Sequence, residues 1–151
     1  MKFELDRTID APPEKVFRLA TDPDRFGEWM QGLVRLERAT AGPLRIGSRW
    51  RETRKVMGNE ATEEFEVTAL DPPRRLELFV DGAKGSNRKG EHRYAQRFEP
   101  AAGGGTRVVL SGEITKLGCV GTVFGFLFAA VFRKIIGKDL DAMKAWIEKQ
   151  P

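Results

Sequence analysis

The sequence is poor in the residues that build disulfide frameworks and metal sites. Its 151 residues include one Cys, one His and one Tyr. The single Cys119 excludes an intramolecular disulfide and fits a reducing compartment, so we expect a cytoplasmic protein. No Cys/His cluster has the spacing of metal ligands, so we expect neither a metal nor another cofactor.

The sequence also lacks a long apolar segment and a dense basic run. Its start, MKFELDRTID, has no hydrophobic stretch of signal-peptide type, so export by that route is not expected. The uncharged run LGCVGTVFGFLFAAVF, at residues 117–132, is shorter than the ~18–20 residues of a spanning helix. The formal net charge is +4, but Lys and Arg are mixed with Glu along the predicted strands. We therefore expect no nucleic-acid partner.

Hydrophobic periodicity divides the chain into one ordered series of elements. Residues 2–10 alternate as a half-buried strand, and two short helices follow, the second through Phe26 and ending near Gly32. From Leu33 onward, short alternating segments separated by Gly and Pro turns predict six further strands. The last stretch has apolar residues at spacings of four and three, which predicts an amphipathic helix.

Seven antiparallel strands in this order predict a strongly curved sheet with the final helix in its concavity. Such an arrangement often leaves a cavity, and apolar cavities with a few polar groups bind small ligands. The run at residues 117–132 is apolar on every face, so something must cover it. This run has four candidate partners: the sheet, a bound ligand, a second subunit and a membrane surface.

Short motifs spread along the chain carry a resemblance to a known superfamily. They are IDAPPEKVF at residues 9–17, residues 22–29, GSRW at 47–50, FEVT at 65–68, DPPRRL at 71–76, FEP at 98–100, GGTRV at 104–108, and Asp139-Leu140 with Lys144. The chain resembles the START-type helix-grip superfamily, also called SRPBCC, and within it bacterial polyketide cyclase/dehydrase-like proteins. The resemblance implies that residues 1–151 form one α+β helix-grip domain. It would consist of a curved seven-stranded antiparallel sheet, two short helices and a long C-terminal helix.

Strand alternation predicts which side chains point into the cavity. On each strand we take the more apolar set as the inward one, even where it brings polar groups with it. The final helix adds two aromatic candidates from the apolar run. The predicted ligand-binding residues are Trp50, Glu52, Arg54, Phe65, Val67, Leu78, His92, Tyr94, Gln96, Val108, Phe124 and Phe128.

The leading hypothesis is binding, or transport, of a small hydrophobic ligand such as a lipid, polyketide or aromatic compound. The enzyme alternative is a polyketide cyclase or dehydratase, with Glu52, His92 and Tyr94 as candidate acid–base residues. A third alternative is a module that contacts a membrane peripherally, or forms a homodimer, through residues 117–132. The three hypotheses stay side by side, because membership of a superfamily does not determine function. The expected oligomeric state is a monomer or a homodimer.

Overall fold

The computed structural model describes residues 1–86, 88, 90–118 and 123–151. The inferences drawn from Cys119 therefore concern a residue outside the described part of the chain. The elements are β1 (Lys2–Ile9), α1 (Pro13–Ala20), a 3₁₀ helix (Pro23–Glu28), β2 (Leu33–Arg38), β3 (Arg49–Val56), β4 (Asn59–Asp71), β5 (Arg75–Asp81), a 3₁₀ turn (Gly82–Lys84), β6 (Glu91–Pro100), a 3₁₀ turn (Ala102–Gly104), β7 (Thr106–Thr115) and α2 (Gly125–Lys149).

The seven strands form one sheet in the order β1-β7-β6-β5-β4-β3-β2, and every neighbouring pair is antiparallel. Consecutive strands from β2 to β7 are neighbours in the sheet, while β1 pairs with β7. The sheet is curved, and α2 packs on the same side as the short helices. The predicted α+β helix-grip architecture is confirmed.

The second short helix differs from the prediction in type and length. It is a 3₁₀ helix that ends at Glu28 rather than near Gly32. The Asp22 side chain caps it by accepting a hydrogen bond of 3.1 Å from the backbone N–H of Asp24. Pro23 begins the segment and Gly27 weakens it, which favours a short tight helix over a longer α-helix.

The long helix packs in the concavity over its later turns only. Leu140, Met143 and Ile147 are buried against the sheet, and Phe132 contacts Phe3 of β1 with ring centroids 5.3 Å apart. The earlier turns, together with the residues just before Gly125, instead leave large apolar side chains in solvent. We call this set the Phe-rich surface: Val123, Phe124, Phe126, Leu127, Phe128 and Val131.

The described part of α2 lacks the combination of length and hydropathy needed to cross a bilayer, and so does every other described helix. The described residues of the apolar run before Phe132 lie mostly on the surface of the molecule. Phe132, the last residue of the run, packs against the core.

Candidate functional site

A cavity of about 140 Å³ lies between the concave face of the sheet and α2. Period-two alternation on each strand directs every second side chain to the concave face of the sheet, as the sequence predicts. Eight predicted ligand-binding residues line its wall: Trp50, Glu52, Arg54, Phe65, Leu78, Tyr94, Gln96 and Val108.

The remaining four predicted residues lie outside the cavity lining. Val67 is fully buried in the core, and His92 is buried behind Tyr94. Phe124 and Phe128 are 58% and 47% exposed, because the helix has not yet reached the sheet at these positions. Phe132, one turn after Phe128, is the aromatic residue of this run that lines the cavity.

Several lining residues were missed by the sequence analysis. Trp29 and Met30 follow the first 3₁₀ helix, where no periodic pattern predicts side-chain direction. Glu63 could have been found, because it is two residues before Phe65 on the same strand face. Asp139 interrupts the apolar stripe of α2, and only the tertiary contact with Arg54 explains its burial.

Arg54 and Asp139 form an ion pair that links α2 to β3. The Arg54 Nη2 and Asp139 Oδ2 atoms are 2.8 Å apart. Asp139 Oδ1 also accepts a hydrogen bond from the backbone N–H of Gln31, and Arg54 donates one to the Gln31 carbonyl. Burial raises the pKa of Asp139, although Arg54 and the Gln31 N–H counteract this by stabilising the carboxylate.

Glu52 is a buried carboxyl group in a largely apolar wall. Its Oε1 accepts a hydrogen bond of 2.8 Å from the indole N–H of Trp50. Burial raises the pKa of Glu52 to about 7, while the Trp50 hydrogen bond and the Arg54 charge act in the opposite direction. Glu63 sits directly across from Glu52 on β4, and its charge also raises the pKa of Glu52. Near neutral pH this group can therefore give or take a proton.

His92 and Tyr94 form a second polar pair, beside Glu63. The His92 Nδ1 and Tyr94 hydroxyl oxygen are 2.8 Å apart, and Glu63 Oε1 is 3.8 Å from the same nitrogen. Burial lowers the pKa of His92, and burial also raises the pKa of Tyr94 well above its usual value. Tyr94 is thus a neutral phenol at the cavity wall, whereas His92 lies outside the lining and beside two of its members, Tyr94 and Glu63.

The described residues contain no cluster of three or more His, Cys, Asp or Glu side chains able to hold a metal ion. The polar groups in and beside the cavity instead form pairs: Arg54 with Asp139, Glu52 with Trp50, and Tyr94 with His92. This arrangement can orient a small ligand or exchange a proton with it.

The polyketide cyclase / dehydrase and lipid transport family matches residues 1–148 of the chain. The chain belongs to this family. No curated protein matches its sequence significantly.

Several solved structures have the same fold. TTHA0849 from Thermus thermophilus superimposes with a TM-score of 0.81 at 23% identity, covering 97% of each chain. The Zhui aromatase/cyclase from a Streptomyces species has a TM-score of 0.77 at 18% identity, covering 99% of this chain and 94% of its own. The structure of Ara h 8.0201 has a TM-score of 0.73 at 17% identity, covering 99% of both chains. At these identities the similarity shows the fold alone.

Proposed function

We propose that the protein binds a small, largely apolar molecule in the cavity between the sheet and α2. The observation that supports this most directly is the cavity of about 140 Å³, whose wall is mostly aliphatic and aromatic. Small-molecule sites commonly combine such a wall with a few placed polar groups. The family description, which names polyketide cyclase / dehydrase and lipid transport, supports the same class of ligand.

Native mass spectrometry of the freshly purified protein, followed by solvent extraction, tests this function. We expect a discrete excess mass that extraction releases. Val108→Phe adds volume inside the cavity and should abolish the excess mass. Val34→Phe adds the same volume on the exposed face of β2 and should retain it. A bare mass for the wild type, with no uptake of small aromatic compounds, would overturn the proposal.

A second candidate function is acid–base catalysis of the cyclase or dehydratase type. It is favoured by Glu52, because burial raises the pKa of this carboxyl to about 7, close to the optimum for a general base at neutral pH. In such a reaction the Glu52 carboxylate takes a proton from the carbon next to a ketone. Arg54 and the neutral Tyr94 hydroxyl lie on the same wall and could stabilise the resulting enolate.

Proton abstraction can be tested without the natural substrate, by following deuterium exchange at the methyl group of acetophenone in heavy water. We expect exchange to rise as the pH passes about 7, because Glu52 must be ionised to act as a base. Glu52→Gln should slow exchange by about 100-fold or more. His92→Asn should have a smaller effect, since His92 is not part of the cavity lining. Wild-type exchange in Glu52→Gln would rule out this assignment.

A third candidate function is peripheral contact with an anionic bilayer through the Phe-rich surface. Phe126 is 85% exposed, and Arg133 and Lys134 follow on the next turns. The sequence has no acidic residue from Lys116 to Lys138. Apolar side chains beside basic ones fit the interface of an anionic membrane, whereas a second copy would bring like charges together. Binding to anionic vesicles that Phe126→Asp abolishes would support this function, and retained binding would contradict it.

A further inference from the structure

Three residues that line the cavity each carry a buried polar atom with no hydrogen-bond partner among the residues that the structure describes. These atoms are the donors Trp29 Nε1 and Arg54 Nε, and the acceptor Gln96 Oε1. A fourth such atom, Arg38 Nε, belongs to a residue outside the cavity lining. Buried polar atoms are nearly always hydrogen-bonded in native proteins, so three unpaired ones around a single cavity point to a partner that enters it.

The two donors and the acceptor belong to different sides of the cavity. Arg54 is on β3, and Trp29 follows the 3₁₀ helix that contacts β2. Gln96 is on β6, and strands β4 and β5 separate it from β3. Three strand spacings correspond to about 14 Å along the sheet, and the curvature of the sheet turns the two sides toward each other. A ligand that satisfies all three atoms therefore needs an acceptor at one end and a donor at the other.

The size and the walls of the cavity favour a single aromatic ring. Its volume of about 140 Å³ is close to the ~150 Å³ of an engineered apolar cavity that takes up benzene. Phe65 stacks between Trp50 and Tyr94, with ring centroids 5.6 Å and 6.4 Å away. The three rings make this part of the cavity lining aromatic, and aromatic rings pair favourably with other rings in stacked or edge-to-face arrangements.

The charges on the wall favour a neutral ligand. Glu52, Glu63 and Asp139 line the cavity together with one cation, Arg54. The charge of Arg54 is already paired with Asp139. An anionic ligand would therefore face two further carboxyl groups without a free cation in the described lining to compensate for its charge.

We propose that the cavity binds a neutral single-ring aromatic compound with a carbonyl group at one end and a hydroxyl group at the opposite, para end. The carbonyl oxygen accepts hydrogen bonds from Trp29 and Arg54, and the hydroxyl donates one to Gln96. This inference rests on the proposed ligand-binding function and specifies its ligand class.

A matched set of four compounds tests the inference by calorimetric titration of the full-length wild-type protein. The set is para-hydroxyacetophenone, para-methylacetophenone, para-ethylphenol and para-ethyltoluene, which share one ring and differ in the two polar groups. We expect para-hydroxyacetophenone to bind most tightly, with each missing polar group weakening binding by about tenfold. The anion para-hydroxybenzoate should bind at least about tenfold more weakly than para-hydroxyacetophenone, because of the carboxyl groups on the wall.

Two variants assign each polar group of the ligand to its partner. Trp29→Phe keeps an aromatic ring but removes a hydrogen-bond donor. It should reduce the gain in affinity that the carbonyl group provides and leave the gain from the hydroxyl group unchanged. Gln96→Leu removes the hydrogen-bond acceptor. It should reduce the gain in affinity from the hydroxyl group and leave the gain from the carbonyl group unchanged. Each variant serves as the control for the other, and thermal melts show whether both remain folded. If either variant fails to fold, the ranking of the four compounds with the wild-type protein still tests the inference.

The possible failures separate this inference from the function on which it rests. Equal binding of all four compounds would overturn the polar assignment and leave apolar ligand binding in place. If none of the four binds but an apolar molecule co-purifies with the protein, the ligand class is wrong and the proposed function stands. If no compound binds and nothing co-purifies, both fail.

Discussion

Glu52 has properties that come from its surroundings more than from its residue type. It is 5% exposed, it accepts a hydrogen bond from Trp50, and it faces Glu63 across a strand pair. Burial disfavours the charged form and raises the pKa of Glu52 from the ordinary 4.5 to about 7. The same shift links the stability of the fold to pH.

Replacing Glu52 should change the pH dependence of the free energy of unfolding. The folded protein keeps the Glu52 proton up to about pH 7, whereas the unfolded chain loses it near pH 4.5. Folded wild type therefore binds more protons in this window, and its stability falls as pH rises through it. Glu52→Gln removes this loss, so we expect it to match wild type below pH 4.5 and to be more stable by up to about 3 kcal/mol near neutral pH and above.

Urea denaturation of both proteins at about pH 4.5 and about pH 8, on either side of this window, measures the difference. Glu60→Gln, on the exposed part of β4, is the control, and its free energy of unfolding should match that of wild type at both pH values. Parallel pH profiles for wild type and Glu52→Gln would mean that Glu52 has an ordinary pKa in the folded protein.

At the level of secondary structure elements, the contact between α2 and the sheet has an apolar part and an ionic part. Leu140, Met143 and Ile147 bury their side chains in the concavity. The Arg54–Asp139 pair lies at the side of this contact, with side chains 19% and 9% exposed. A largely buried pair contributes little as a whole, but removing one partner leaves an uncompensated charge.

Asp139→Leu alone should therefore destabilise the protein by about 3 kcal/mol, as measured by urea denaturation. The double variant Arg54→Met/Asp139→Leu should recover most of the loss, because no buried charge remains. Asp71→Asn removes one partner of the exposed pair Arg74–Asp71 and should have no measurable effect. A double variant as unstable as Asp139→Leu would show that packing, rather than the unpaired charge, causes the loss.

On the scale of the whole molecule, one region differs from the rest of the surface. The Phe-rich surface combines six large exposed apolar side chains in a chain with a formal net charge of +4. Large exposed apolar patches on soluble domains commonly mark interaction surfaces. Its position at the start of α2 places it next to Phe132, which stacks on Phe128 and lines the cavity.

Vesicle co-sedimentation tests the proposed bilayer contact. We expect the wild type to bind anionic phosphatidylglycerol vesicles and to bind neutral phosphatidylcholine vesicles more weakly, with binding reduced by high salt. Phe126→Asp should abolish binding, whereas Val34→Asp, at an exposed apolar position on β2, should not affect it. A homodimer that Phe126→Asp dissociates, with no vesicle binding, would contradict the bilayer assignment and identify a subunit interface.

The sequence predicted the order of the elements along the chain because that order depends on local rules. Alternation, turn residues and the amphipathic pattern ending at Ile147 each act over a few residues, and together they determine the order of strands and helices. The same alternation identified eight side chains of the cavity wall, from Trp50 on β3 to Val108 on β7.

Only the tertiary structure decided features that depend on residues far apart in the chain. The burial of Asp139 follows from a partner 85 residues away, and the raised pKa of Glu52 follows from the elements that enclose it. The place where α2 meets the sheet decided that Phe132, rather than Phe124 or Phe128, reaches the cavity. Periodicity shows which face of an element is apolar, but it does not show how close two elements lie in the folded protein.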